Sequence, residues 1–349
     1  MATVAQLAEF DEIIDVRTPS EFAEDHVPGA VNRPVLNDAE RARVGTLYKQ
    51  VSAFTGRKVG AALVSRNVAQ HIETSFIDKP KAWRPLIYCW RGGKRSEAMV
   101  HILREIGWNA DRLDGGYRGY RRAVIAELPQ LVRRHTLRVV CGLTGSGKSR
   151  LLQTLGSLGA QVLDLERLAA HRGSVLGNLP DEPQPGQKLF ESRIWWRLRS
   201  FETKAPVFVE SESKRIGAVQ VPDDLMGAMW ESECVRVDTG IATRIRLLLE
   251  EYPHFVAEPA ELGRQLDRLV PLHGRIAIER WKALAQQGDW PVLVRELLEH
   301  HYDPAYTRSI AAHYPRLTHS RSVEITSADE AGFGAAARAL IEDAARAIA

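Results

Sequence analysis

The segment Gly142-Leu143-Thr144-Gly145-Ser146-Gly147-Lys148-Ser149 constrains this chain more than any other. It follows the apolar run Leu137 to Cys141 and precedes helical spacing from Lys148 to Leu158, so the backbone must pass from a strand into a helix through a short glycine loop. Such a loop lets N–H groups curl around phosphate oxygens, and the helix N-terminus adds a favourable dipole. Lys148 is long enough to reach terminal phosphates, and the Ser149 hydroxyl suits Mg²⁺. The pattern therefore predicts that Gly142, Gly145, Ser146, Gly147, Lys148 and Ser149 bind a polyphosphate or diphosphate group, without implying that the ligand is ATP. Asp164 and Glu210 each end an apolar run and are candidate carboxylate partners, with a solvated strand end as the equal alternative. Arg244 and Arg246, further along, could contact phosphate but read more readily as a solvated helix face.

A second constellation lies upstream. Leu86-Ile87-Tyr88 reads as a strand stopping at Cys89, Gly92-Gly93 as a loop and Ser96 to Ile106 as a helix. A cysteine in that position faces backbone N–H donors, and Arg91, Lys94 and Arg95 add positive charge. Both effects favour the thiolate, which is the nucleophile. Cys141 and Cys234 sit inside apolar runs and read as inert. Three cysteines so far apart build neither a disulfide framework nor a metal cluster, so no metal site is expected and a reducing cytoplasm is the expected setting. No apolar run approaches the ~20 residues that span a bilayer, so no membrane partner is expected.

Strand and helix signals alternate along most of the 349 residues, which predicts an α/β protein. The boundaries expected are an α/β domain over 1–128, a basic connector over 129–136, and a P-loop domain over 137–349 with a helical insertion around 241–301. The formal net charge of +3 is weak, but its distribution is not even. Arg84 to Arg138 holds twelve Lys and Arg against five Asp and Glu, a net +7 in 55 residues. Phosphate contacts come chiefly from such side chains, so Arg118, Arg121, Arg122, Arg133 and Arg134 are candidate nucleic-acid contacts. Trp90 either stacks on an extruded base or packs in the core.

Ile14-Asp15-Val16-Arg17-Thr18-Pro19-Ser20-Glu21-Phe22 with His26-Val27-Pro28-Gly29-Ala30-Val31-Asn32 resembles the opening signature of rhodanese domains, and Leu113-Asp114-Gly115-Gly116-Tyr117 resembles their closing segment. The resemblance implies a rhodanese-like N-terminal domain with Cys89 as a sulfur- or selenium-carrying nucleophile assisted by Arg91, Lys94 and Arg95. Five residues separate Cys89 from Arg95, a C-x5-R spacing shared with dual-specificity phosphatases and suited to a tetrahedral oxyanion. Joined to the P-loop, to Val209-Glu210-Ser211-Glu212-Ser213 and to His301-Tyr302-Asp303-Pro304-Ala305-Tyr306, the arrangement resembles the family of bacterial tRNA 2-selenouridine synthases over nearly the whole chain.

That family resemblance implies a P-loop NTPase-like second domain with a helical C-terminal part, and replacement of sulfur by selenium in a wobble 2-thiouridine of tRNA. It further implies selenophosphate and geranyl diphosphate as substrates, an S-geranyl intermediate, no tightly bound cofactor, Mg²⁺ as a candidate ion, and an enzyme supplying selenophosphate as a candidate partner. Two rival readings remain at this point. One is a rhodanese-type sulfurtransferase or C-x5-R phosphatase fused to a nucleotide-binding domain; the other is a non-catalytic RNA-binding switch.

Overall fold

The computed structural model describes residues 1–174, 176–180 and 182–348. The chain forms two compact units, one made of Met1–Leu128 with Lys188–Trp196 and one made of the remainder. Both are built on parallel sheets. Among the described residues no helix is long and apolar enough to cross a membrane.

In the first unit the strands β1 (Glu12–Asp15), β2 (Val31–Asn32), β3 (Pro85–Tyr88) and β4 (Asp111–Arg112) pair in the order β2-β1-β3-β4. β3 is buried at every position, as expected for a central parallel strand covered on both faces. Its helices pack Met99, Val100 and Leu103 against Ile14 and Ile87, and an aromatic row of Phe76, Trp83 and Trp108 closes the same core. β4 is only two residues long. Those two residues pair with β3, while Arg104 donates to the Ala110 carbonyl at 2.7 Å and the Trp108 indole donates to the Pro80 carbonyl at 3.1 Å, so side chains hold the residues just before the strand.

In the second unit β5 (Leu137–Cys141), β6 (Gln161–Leu163), β7 (Val207–Glu210), β10 (Glu233–Thr239) and β11 (Arg321–Ile325) pair in the order β11-β10-β5-β7-β6. β8 (Arg215–Ile216) and β9 (Val219–Gln220) form a separate antiparallel ribbon. The helices Lys148–Ser157 and Glu330–Ile348 bury Leu151, Leu155, Phe333 and Leu340 against Val140, Phe208 and Val235. A separate helical core of Leu266, Ile278, Trp281 and Leu293 lies within the helices that follow Ile241, and helix continues past residue 301 as Asp303–His313.

Two elements refine the linear domain plan. Most of the expected basic connector is helical: Gly116–Arg134 is one helix with Pro129 inside it. Lys188–Trp196 returns to the first unit, where Trp195 is fully buried edge-on to Tyr120 and donates its indole N–H to Glu127 at 3.0 Å.

One buried ion pair anchors the first unit. Arg17 donates Nη2 to Asp15 Oδ2 at 2.6 Å and Nε to the same oxygen at 2.9 Å, both side chains being almost without solvent exposure. The guanidinium lies 4.0 Å over the Tyr117 ring and 6.0 Å from the Trp90 ring. Removing one partner of such a pair strands a buried charge. Asp15→Ala is expected to cost about 3–5 kcal/mol of stability, read by urea denaturation of the full chain; a loss within 1 kcal/mol would show that the pair does not hold the unit.

Candidate functional site

The first candidate site forms where β3 gives way to the helix Lys94–Ile106. Cys89 is buried, and its sulfur accepts the Gly93 backbone N–H at 3.2 Å and the Ser96 hydroxyl at 3.3 Å. The closing segment of the domain packs on this loop from behind. Tyr117 N–H donates to the Cys89 carbonyl at 2.8 Å and Arg118 N–H to the Trp90 carbonyl at 3.1 Å. That approach requires Gly116: its φ is +56°, and a Cβ there would lie 2.3 Å from the Cys89 oxygen.

The cations of the loop divide into two groups. Arg95 is tied to Glu21 at 2.9 Å, and the same Glu21 closes the capping box that starts the helix Pro19–Glu24. Arg91 and Lys94 are exposed, and among the described residues neither enters an ion pair. Trp90 is partly buried, its ring centroid 5.2 Å from that of Tyr117. Ser96, which sequence reasoning used only as a helix start, is thus the side chain in contact with the sulfur.

Of the candidate nucleic-acid contacts, Arg118, Arg122 and Arg134 are exposed without an ion pair among the described residues. Arg121 is paired with Glu191 and largely withdrawn from solvent, and Arg133 is exposed but lies 3.4 Å from Asp224. The +7 stretch is less positive in space than in sequence. Arg104 pairs with Asp111, Arg112 with Glu97, and buried Arg138 with Asp343.

The second candidate site is the loop after β5. Gly145 and Gly147 have φ of +73° and +83°, and a Cβ on either would strike Leu248 or Phe333 at 2.7 Å. Lys148 Nζ folds back to donate to the Gly142 carbonyl at 2.8 Å. Burial opposes its charge, but Tyr306, Glu212 and Glu166 outweigh that and raise its pKa. Ser149 donates to Glu166 at 2.7 Å, and Glu166 N–H donates to Glu210 at 2.8 Å. The carboxylate that meets the P-loop serine is therefore Glu166. Asp164 lines the same cavity but caps the short helix Leu165–Leu168, accepting Arg167 N–H at 2.8 Å, and Glu210 is buried behind Glu166.

This acidic shelf is electrostatically crowded. Burial raises the Glu210 pKa well above the carboxylate range, with Asp164, Glu166 and Glu212 adding to the effect. Enclosure of the Glu212 carboxyl, with Glu166 beside it and Lys148 opposing, pushes its pKa up to about 8. Residues from distant helices complete the loop. Tyr306 OH accepts the Gly142 N–H at 2.8 Å and lies 2.8 Å from the Ser211 hydroxyl. Arg244 is buried rather than solvated: it donates twice to the Thr144 carbonyl, at 2.9 and 2.7 Å, and forms a two-pronged pair with Asp303. Only Arg246 fits the solvated-face reading, exposed and paired with Glu250 one turn away. The loop lines a cavity of about 880 Å³, and a smaller apolar pocket shares Thr144, Ser174, Leu248, Tyr252 and Tyr302 with it.

Comparison with known proteins matches both domains. Residues 2–123 match the Rhodanese-like domain family, and residues 135–267 match the family described as tRNA 2-selenouridine synthase AAA domain. A tRNA 2-selenouridine synthase of Nitrosomonas europaea is 38% identical over 266 residues, covering 74% of this chain and 67% of that one. One of Bdellovibrio bacteriovorus is 36% identical, and there the chain spans 64% of the relative, just under two thirds of its length. One of Alcanivorax borkumensis is 31% identical over 329 residues, covering 84% of this chain and 88% of the relative. On sequence, paired domains and extent of match, the chain belongs to the tRNA 2-selenouridine synthase family.

Proposed function

We propose that the chain replaces sulfur by selenium at C2 of a wobble 2-thiouridine in tRNA, taking selenium from selenophosphate and passing through an S-geranyl intermediate made from geranyl diphosphate. The observation that carries this reading is the union, in one member of this family, of a cysteine sulfur held by Gly93 N–H and Ser96 O–H with a phosphate loop that opens beside an apolar pocket.

In the geranyl step the thiocarbonyl sulfur attacks C1 of geranyl diphosphate, the C1–O bond breaks and diphosphate leaves. The loop N–H groups and Lys148 suit the diphosphate, and the pocket lined by Leu176, Phe255, Leu262, Leu293 and Leu297 suits the prenyl chain. Turning a thiocarbonyl into a thioether makes a better leaving group at C2. Ser149 and Glu166 offer the hard oxygen donors that magnesium takes. Among the described residues no three His, Cys, Asp or Glu side chains form a ready metal cage, so the ion would arrive with the diphosphate and screen its charge from the acidic shelf.

For the selenium step, oxidation states decide between two roles for Cys89. Selenium in selenophosphate is already at the selenide level, so a perselenide on Cys89 would need a two-electron oxidant. Attack of the thiolate on phosphorus needs none: an S–P bond forms, the P–Se bond breaks, and selenide leaves with the electron pair. Selenide then adds to C2, geranyl thiolate departs, and water hydrolyses the phosphocysteine to phosphate and thiol. Gly93 N–H and Ser96 O–H stabilise the sulfur anion at both ends of that cycle.

Cys89→Ala is expected to lower selenium incorporation about a thousandfold or more while leaving geranylation intact, as read by nucleoside mass spectrometry. Full selenation by that variant would overturn the assignment. The acidic shelf adds a pH dependence. With the Glu212 pKa pushed up to about 8, its carboxyl is mostly protonated at neutral pH. Magnesium-free diphosphate affinity should therefore fall as pH rises through that value, and Glu212→Gln should flatten the fall in a titration by calorimetry.

A further inference from the structure

Neither reaction step uses the helical hairpin of the first unit, built from Asp38–Thr46, Leu47–Val51 and Ala53–His71. From Arg41 to His71 it carries six cations, Arg41, Arg43, Lys49, Arg57, Lys58 and Arg66, and no Asp or Glu. All six are exposed, and among the described residues none enters an ion pair. The contrast with Arg95, Arg104, Arg112, Arg121 and Arg138 is direct, since each of those is matched to a carboxylate. A block of unmatched charge of this density calls for a polyanion.

The turn of the hairpin adds a second feature. Tyr48, Val51 and Phe54 are 49%, 64% and 68% exposed, and the Lys58 ammonium lies 4.9 Å over the Phe54 ring. The turn is also tightly closed. A Cβ on Gly56 would lie 2.9 Å from Tyr48 Cα, and one on Gly60 would lie 3.3 Å from Val44. The aromatic side chains are thus presented on a preformed support, which lowers the ordering cost of binding.

The base of the hairpin is linked to the cysteine loop. Ser20 donates to Asp38 at the start of the first helix, and Glu21, the next residue, holds Arg95 of the loop at 2.9 Å. From that base the longer helix, 19 residues, runs about 28 Å at about 1.5 Å per residue. Its apolar residues Leu63 and Val68 face the core, so it lacks the continuous apolar face of a helix that lies in a lipid surface.

We infer that this hairpin is an RNA-docking arm: its cations take phosphates of a structured RNA, and Tyr48 and Phe54 stack on unpaired bases, while another part of the same RNA reaches Cys89. The inference rests on the tRNA reading proposed above. Phosphate contacts supply affinity, and base–aromatic stacking adds to it without strict sequence demands.

The test is the affinity of the whole 349-residue chain for an unmodified tRNA transcript, by fluorescence anisotropy over a range of salt. Arg57→Glu combined with Lys58→Glu should weaken binding about tenfold or more near 0.15 M salt and flatten the salt slope by about two phosphate contacts. Phe54→Ala should weaken it about five- to tenfold. Arg57→Lys combined with Lys58→Arg should keep wild-type affinity. Wild-type binding with unchanged affinity in the reversed-charge and Phe54→Ala proteins would overturn the arm alone. So would a loss seen only on vesicles of equal phosphatidylserine and phosphatidylcholine. A wild-type protein that binds no tRNA would overturn the tRNA reading and the arm with it.

Discussion

Both candidate sites depend on one constraint: a fully buried parallel strand must turn into a helix within a few residues, leaving backbone N–H groups without carbonyl partners. After β5 the turn is the phosphate loop, and after β3 it is the cysteine loop. In each case the N–H groups freed by the turn are the donors that the proposed anions would use. Glycine supplies the backbone freedom, and the surrounding structure fixes the result. Gly116 backs the cysteine loop, while Leu248 and Phe333 close on Gly145 and Gly147.

The two turns differ in what surrounds them, and that difference supports the separate roles proposed for them. The cysteine loop has Ser96 and Gly93 on sulfur and exposed Arg91 and Lys94 nearby, a setting for a compact tetrahedral anion. The phosphate loop faces Glu166 and Glu212 across a cavity, with Arg244 and Tyr306 holding its backbone from distant helices. A polyphosphate there competes with an acidic shelf, so protons or a cation must share the charge. The neighbouring apolar lining is what supports the proposal of a diphosphate with a hydrocarbon tail.

What was legible in the sequence was local. The two strand–loop–helix turns, their glycines, Cys89, Lys148 and Ser149 are defined by neighbours within ten residues, and pattern suffices for these. What was not legible depends on contacts distant along the chain. Nothing in the segment from Asp164 says that its side chain will cap a short helix and leave Glu166 to meet Ser149. Arg244 on a helical face looks solvated until Asp303, 59 residues later, closes on it. The same limit misled the charge count: Arg84 to Arg138 looked basic because its partners Glu21, Glu191, Asp224 and Asp343 lie outside it. The cations from Arg41 to His71 are scattered one or two at a time along the sequence, and only the helices gather them.

In the proposed reaction the two loops serve two separable steps. The most direct measurement gives Lys148→Ala protein a tRNA already carrying S-geranyl-2-thiouridine, together with selenophosphate, and follows the nucleoside by mass spectrometry. Selenation at close to the wild-type rate is expected on that substrate, and little product from 2-thiouridine tRNA with geranyl diphosphate. Failure of Lys148→Ala on the pre-geranylated tRNA, with the protein folded and binding it, would contradict the division of labour between the loops.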